Sequence, residues 1–358
     1  MSICDPKLTT LPRLTMVRYG SGDDERFKRD HDRRQVNRPA MDGGCSSGLG
    51  CMGRGIEEGG KGMSETERFR SIFREDLFQD QVVLITGGGT GIGRCIAHEL
   101  AALGATVVLA GRRSEPLEAT AAEIAEVGGS AGISTIDIRD EAVVDATVKE
   151  IADRYGRLDA LVNNAGGQFA SPAVMIRPRG WRAVIDTNLN GTWFVSQAAF
   201  KHVFSTHGGT IVSIVADMWN GFPGMAHTGA ARAGVVNLTK TLSIEWASAG
   251  VRVNAVAPGF ILSGGLNTYP EAVQRMAAEM MPQNPSGRIG TESEVSAAVA
   301  FLLSPAAAFI TGETLKVDGG ASLHKALMVP VVKHQANTPW NGFHKAADVP
   351  ELFRQDED

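Results

Sequence analysis

Apolar residues in this chain fall into short runs, separated by longer stretches in which apolar and polar positions repeat with a helical period. Seven runs follow one another: QVVLIT (81–86), TVVLAG (106–111), GISTIDI (132–138), LDALVNN (158–164), GTIVSIV (209–215), VRVNAVAP (251–258) and ETLKVDGG (313–320). Intervening stretches such as IGRCIAHELAALGA (92–105) and EAVVDATVKEIADRYG (141–156) have the length and spacing of helices. Runs that are apolar throughout are typical of strands buried on both faces.

Strands that alternate with helices predict an α/β fold. Because the crossovers between parallel strands are right-handed, the expected architecture is a Rossmann-type, doubly wound parallel sheet of seven strands. We assign this single domain to residues 71–322. Ligands of such sheets bind beyond the carboxyl ends of the strands, which is where the motifs described below fall.

The two ends of the chain differ from this pattern. Residues 1–70 form a low-complexity extension, in which the segment 41–62 has nine glycines among 22 residues. Such a segment buries too little apolar surface to offset the entropy of ordering it, so residues 1–62 are predicted to be disordered. The tail 323–358 carries a few aromatic residues, and we expect it to be loose or to close over the substrate or a neighbouring subunit.

Composition excludes several classes of protein. The net charge of −5 over 358 residues gives no reason to expect binding to nucleic acid. No apolar run approaches the roughly 18 residues that span a bilayer, so no membrane segment is expected. The four cysteines lack the paired spacing of a zinc site, and a reduced cytoplasmic protein without a metal is expected.

The stretch TGGGTGIG (86–93) lies between the first strand and the first helix. Glycines at 87, 91 and 93 allow a tight turn and a close approach of the main chain to a diphosphate. The helix N-terminus adds free N–H groups and a partial positive charge. A glycine cluster alone is weak evidence for a dinucleotide site.

The spacing TGxxxGxG, with NNAG (163–166), the asparagine of DTNLNG (Asn188) and PG (258–259), resembles the short-chain dehydrogenase/reductase family. The resemblance covers about residues 77–322 and implies a nicotinamide cofactor. It places the following residues at the cofactor: Thr86, Gly87, Gly89, Thr90, Gly91, Ile92, Gly93, Asp137, Asn163, Ala165, Gly166, Arg232, Pro258 and Gly259.

The residues after the second strand indicate which cofactor is used. Members that prefer NAD(H) carry a carboxylate there for the ribose hydroxyls. This chain instead has Arg112 and Arg113, with no acid before Glu115. Because a guanidinium suits a 2′-phosphate in charge and geometry, NADP(H) is expected rather than NAD(H).

The usual proton-transfer residues of the family are replaced. The tyrosine position holds Thr228, the lysine position holds Arg232, and the serine position holds Ala216, so only Asn188 persists. A threonine hydroxyl is a far weaker acid than a phenol, and arginine does not release its proton. The remaining donors and positive charge suit a developing oxyanion better than proton transfer with an alcohol.

Three functions remain open. Hydride addition to a trans-2-enoyl-CoA thioester generates an enolate, and HTGAARAGVVNLTK, NNAGGQF and FLLSPAAAFITG resemble the peroxisomal-type enoyl-CoA reductase branch. SIFREDLF, ADMW and NGFHKA resemble bacterial citronellol/citronellal dehydrogenases. The third possibility is a cofactor-binding protein that has lost catalysis.

The proton of a reductase must then come from another group. Candidates are Tyr269 on the expected substrate loop, His227 beside Thr228, Asp217, and solvent water. The resemblance also implies a small-molecule substrate and a homodimer or homotetramer built through long helices, one of which is predicted over 228–249.

Overall fold

A computed structural model of the protein describes residues 69–280, 284–324, 331 and 337–353. The predicted disordered segment 1–62 lies outside the described residues. Phe69 and Arg70, which the sequence analysis assigns to the end of the extension, pack onto the fold. Phe69 is buried, and the Arg70 N–H donates to the Gly342 carbonyl at 3.0 Å.

The described strands are β1 (Val82–Thr86), β2 (Thr106–Gly111), β3 (Ser130–Thr135), β4 (Ala160–Asn163), β5 (Gly209–Ile214), β6 (Val251–Pro258), β7 (Ile261–Leu262), β8 (Gly290–Thr291) and β9 (Thr314–Val317). The described α-helices are α1 (Gly91–Ala102), α2 (Ser114–Glu126), α3 (Glu141–Tyr155), α4 (Pro178–Ile185), α5 (Gly191–Ala199), α6 (Ser205–His207), α7 (Ala226–Glu245), α8 (Glu271–Met280) and α9 (Glu292–Leu303). Two π-helical segments, Asp186–Asn190 and Phe200–Phe204, flank α5.

Seven strands form one parallel sheet in the order β3-β2-β1-β4-β5-β6-β9, which confirms the predicted doubly wound architecture. The strand order reverses between β1 and β4, where Thr86 is paired with Asn163. β7 and β8 form a separate small parallel pair. The helix predicted over 228–249 begins two residues earlier and ends as an α-helix at Glu245, followed by a 3₁₀ turn at Ala247–Ala249.

Both faces of the central strands of the sheet are buried, which explains why these strands are mainly apolar. Val83 and Ile85 of β1 pack with α1, α2 and α9, whereas Val82 and Leu84 pack with α3, α5 and α7. Successive residues of a strand point to opposite faces, so the first four positions of β1 all carry buried apolar side chains. Because α1 and α9 pack on the same face of the sheet, their N-termini lie on the same side of its carboxyl edge.

The C-terminal segment 337–353 packs against its own chain. Thr291 Oγ1 donates to the Trp340 carbonyl at 2.5 Å, and Phe343 is buried against Phe69. Further along, Val349 and Phe353 form an apolar cluster with Leu266 of the loop that follows β7. The C-terminal segment therefore packs against the expected substrate loop and supports it.

Within the part of the chain that the structure describes, no helix is long and apolar enough to cross a membrane. The same residues contain no group of histidine, cysteine and carboxylate side chains that is suited to hold a metal ion. Assembly through α7 stays a prediction.

Candidate active site

The glycine-rich turn connects β1 to α1 at the carboxyl edge of the sheet. Gly87 and Gly91 have φ values of 68° and 55°, a left-handed conformation that favours glycine. A Cβ on Gly93 would overlap the Gly87 carbonyl. The N-cap residue Thr90 makes no side-chain hydrogen bond to the helix, so the first N–H groups of α1 are left for an anion. The turn fits a dinucleotide diphosphate.

The rest of this turn is held by α2. Thr120 Oγ1 donates to the Gly89 carbonyl at 3.2 Å. A Cβ on Gly89 would lie 2.9 Å from the Pro116 carbonyl carbon, so the turn and α2 approach closely. Ile92 lies in the first turn of α1, as expected.

Asn164, the second asparagine of NNAG, ties the glycine-rich turn to the end of β4. Asn164 Nδ2 donates to the Thr86 and Gly87 carbonyls, at 3.1 Å each. Thr86 Oγ1 accepts in return from the N–H groups of Asn164 and Ala165. The Asn163 side chain is buried and donates to Ser196 Oγ at 2.9 Å, so it serves the interior of the fold.

Asn188 holds the loop that follows β4. It lies in the π-helical segment 186–190, an irregularity that is frequent at functional sites. Its Oδ1 accepts from the Gly167 N–H at 3.2 Å, and its Nδ2 donates to the Gly167 carbonyl at 2.7 Å and to the Val184 carbonyl at 2.9 Å. The amide is thus used to position the main chain of the loop.

Arg232 lies buried under the same loop. Its Nη1 donates to the Ile214 carbonyl at 2.8 Å. A Cβ on Gly166 would overlap the Arg232 guanidinium and lie 2.7 Å from Asn188 Oδ1, so glycine is required where these two side chains meet. Burial lowers the pKa of Arg232 to about 10, which leaves it protonated at neutral pH.

Thr228 and His227 begin the same helix, and both are fully buried. His227 Nδ1 accepts from the Thr228 N–H at 2.8 Å and lies 3.3 Å from Thr228 Oγ1. The proton of the neutral ring is therefore on Nε2, and burial lowers the pKa of His227. Phe169 packs edge-on against the imidazole, with ring centroids 4.4 Å apart.

Tyr269 reaches the site from the loop after β7. Gln168 Nε2 donates to Tyr269 Oη at 2.5 Å, which joins residues 101 positions apart in sequence. Since an amide N–H can only donate, the phenol proton is not used in this bond. Burial raises the pKa of Tyr269, so the phenol stays protonated at neutral pH. The sequence pattern gave no signal for Gln168, although this residue follows Gly167 directly.

The opposite end of the site is exposed. Arg112 and Arg113 follow β2 and are exposed. Asp137 lies two residues beyond β3, and the Arg139 Nε donates to its carboxylate at 2.9 Å. This pairing lowers the pKa of Asp137.

The last predicted motif, Pro258 and Gly259, ends β6. The Gly259 N–H donates to the Val317 carbonyl at 2.9 Å, and the Pro258 carbonyl accepts from the Asp217 N–H at 3.2 Å. Burial and the nearby Asp318 raise the pKa of Asp217.

A family model described as Enoyl-(Acyl carrier protein) reductase matches residues 87–322. A Bacillus subtilis protein named probable 2,4-dienoyl-CoA reductase, (2E)-enoyl-CoA-producing, is 42% identical over 250 residues, which are 69% of this chain and 98% of that protein. The peroxisomal 2,4-dienoyl-CoA reductase, (3E)-enoyl-CoA-producing, of Danio rerio is 36% identical over 265 residues, covering 72% of this chain and 87% of that protein.

Among solved structures, the citronellol catabolism dehydrogenase AtuB of Pseudomonas aeruginosa is similar to this chain with a TM-score of 0.64 and 51% sequence identity. The similarity covers 70% of this chain and 99% of that one.

The close packing at Gly166 can be tested with two neighbouring glycines. In Gly166→Ala the added methyl group meets Arg232 and Asn188, and overpacking of this kind costs about 1–3 kcal/mol. We expect the free energy of unfolding in urea to fall by about that amount, and the affinity for a nicotinamide cofactor, measured by fluorescence titration, to fall with it. Gly167→Ala is the matched control, because among the described residues nothing beyond its chain neighbours lies within 4 Å of a Cβ at this position. Equal losses in both variants would contradict the packing argument.

Proposed function

Because the chain belongs to the short-chain dehydrogenase/reductase family, we propose that it is an oxidoreductase that uses NADP(H) to reduce a conjugated double bond of an acyl-CoA thioester. Favoured substrates are trans-2-enoyl-CoA and its 2,4-dienoyl counterpart. The observation that carries the proposal is the exchange of the tyrosine–lysine pair for a buried Thr228 and a buried Arg232. The names of the Bacillus subtilis and Danio rerio relatives support the same substrate class.

In this reaction we assign parts to the glycine-rich turn and to three arginines. The glycine-rich turn would hold the diphosphate, and Arg112 and Arg113 would meet the 2′-phosphate. When bound, the reduced nicotinamide supplies the hydride. The electron pair of the reduced double bond moves toward the thioester oxygen, and a fixed positive charge stabilises the enolate that forms. Arg232 supplies that charge and keeps its proton throughout, because its pKa stays at about 10.

We assign the proton donor to Tyr269. Its Oη accepts from Gln168, so its own O–H is free to deliver a proton to a carbon of the enolate. His227 is a weaker candidate, since its imidazole is fully buried and lies against Phe169. Delivery of the hydride and of this proton balances the reduction.

A second candidate function is the oxidation of a citronellol-type alcohol. The 51% identity to the Pseudomonas aeruginosa dehydrogenase favours it. Such a reaction needs a group that takes a proton from the alcohol oxygen. Asp217 would be that group, because burial and Asp318 raise its pKa toward the range useful for proton exchange.

The proposal is tested by offering both substrate classes to the full-length protein. We expect trans-2-decenoyl-CoA or 2,4-decadienoyl-CoA to be reduced with NADPH, followed as loss of NADPH absorbance and by mass spectrometry of the product. Citronellol with NADP⁺ or NAD⁺ is the comparison. Turnover of the alcohol alone would replace the proposal by the second candidate, and cofactor binding without turnover of either class would indicate a protein that has lost catalysis.

Cofactor preference depends on the two arginines after β2. In the double variant Arg112→Ala, Arg113→Ala, we expect the Kd for NADPH to rise about 10- to 100-fold, because charge-assisted hydrogen bonds contribute about 1.5–3 kcal/mol. The Kd for NADH should change little, since NADH lacks the 2′-phosphate. Arg157→Ala is the control, because this arginine pairs with Asp159 at the other edge of the sheet. Equal loss of affinity for both cofactors would argue against a 2′-phosphate contact.

The proton donor is tested by removing one oxygen atom. Tyr269→Phe keeps the ring but lacks the O–H, so we expect kcat for the thioester to fall about 10²- to 10⁴-fold, with little change in the Kd for NADPH. Tyr155→Phe is the control, because Tyr155 ends α3 away from the site. Full activity of Tyr269→Phe would assign the proton to another group or to water.

A further inference from the structure

A buried carboxyl group lies beside the glycine-rich turn without a bonding partner. Glu292 is the first residue of α9, and its side chain is only 6% exposed. Its Oε1 lies 3.8 Å from where a Cβ on Gly91 would be. Across the described residues, no hydrogen bond or ion pair joins this carboxyl, and the capping box of α9 uses Thr291 and Glu294 instead.

Arg94 carries the positive charge that acts on Glu292, but its guanidinium is already paired with another carboxylate. Arg94 of α1 faces Glu292, but its guanidinium donates to the Glu123 carboxylate through Nε at 2.8 Å and Nη2 at 2.7 Å. His98 also contacts Glu123, at 3.0 Å. His344 interacts with Arg94, Glu123 and His98 rather than with Glu292.

The other titratable groups around Glu292 do not stabilise its charge. On α1, the Cys95 thiol is buried, and the Glu99 carboxyl accepts from Ser71 and Ser296. On α9, Glu294 pairs with Arg288. Because the Glu292 carboxyl is buried and no described cation is bonded to it, its pKa is raised to about 7.

We propose that Glu292 binds the diphosphate of the nicotinamide cofactor as a neutral carboxylic acid, so that cofactor binding takes up a proton at neutral pH. A protonated carboxyl donates its O–H to a phosphate oxygen, whereas an ionised one repels it. The proposal rests on the cofactor site at the glycine-rich turn and is independent of the substrate.

The direction of the pH effect follows from the charges. An anion beside the carboxyl disfavours its ionised form, so the bound cofactor raises the pKa of Glu292 further. The complex then binds more protons than the free protein. Affinity is therefore highest below about pH 7 and falls as the pH rises, by at most tenfold per pH unit for one linked proton.

Calorimetry on the wild-type protein measures the linked proton directly. ADP-ribose is the probe, because it carries the diphosphate but neither the nicotinamide nor the titrating 2′-phosphate. Binding enthalpies at about pH 7.5 in two non-phosphate buffers of different ionisation enthalpy give the number of protons taken up, which we expect to be a clear fraction of one proton. An uptake near zero would overturn the proposal without any variant.

A pair of variants assigns the proton to this residue. In Glu292→Gln the uptake should vanish, and the Kd for ADP-ribose should stay nearly constant between about pH 6 and 8.5 while the wild-type Kd rises. Glu141→Gln, the exposed first residue of α3, is the matched control and should behave as the wild type.

Two further results would count against the proposal in different ways. Weaker binding of ADP-ribose by Glu292→Gln at every pH would mean that the ionised carboxylate accepts a hydrogen bond. Failure of the wild type to bind ADP-ribose at any pH would contradict the cofactor site itself. Loss of thioester reduction with normal ADP-ribose binding and proton uptake would affect the proposed function alone.

Discussion

The side-chain amide of Asn188 holds the loop after β4, and the remainder of the candidate site depends on that contact. By bonding both the N–H and the carbonyl of Gly167, it fixes the main chain on either side. On one side Gly166 lies against the guanidinium of Arg232. On the other side Gln168 is directed at the hydroxyl of Tyr269. One amide therefore holds the short segment whose neighbouring residues contact both the fixed positive charge and the proposed proton donor.

Because threonine and arginine replace the family's tyrosine and lysine, a proton donor has to come from another part of the site. A buried guanidinium supplies charge but no proton at neutral pH. Thr228 is turned into the protein, beside the imidazole of His227. The proposed proton donor, Tyr269, lies on a different element, the loop after β7. In the proposed reaction, hydride and proton would therefore reach the substrate from different elements of the fold, which suits reduction of a carbon–carbon double bond.

The sequence predicted the sheet well because its signal is local. A strand that is buried on both faces, such as β1, needs a continuous apolar run, and such a run followed by glycines can be recognised in the sequence alone. The separate roles of Asn163 and Asn164 were harder to predict. Adjacent residues at the end of a strand point in different directions, so a shift of one position exchanges their contacts. The Gln168–Tyr269 bond and the burial of Glu292 were out of reach, because each arises from segments that are distant in sequence and are brought together only by the fold.

Part of the support for the loop that carries Tyr269 comes from residues outside the part that matches the family model, which ends at residue 322. Val349 and Phe353 pack on Leu266, and Asn267 Nδ2 donates to the Asp348 carbonyl at 2.6 Å. The same segment is attached to the first turn of α9 through Trp340. The loop that carries Tyr269 is therefore held by Gln168 in front and by the C-terminal segment behind. Most residues proposed to hold the cofactor thus lie within the part that matches the family model, whereas the loop that carries Tyr269 is contacted both from inside that part, by Gln168, and from beyond it, by the C-terminal segment.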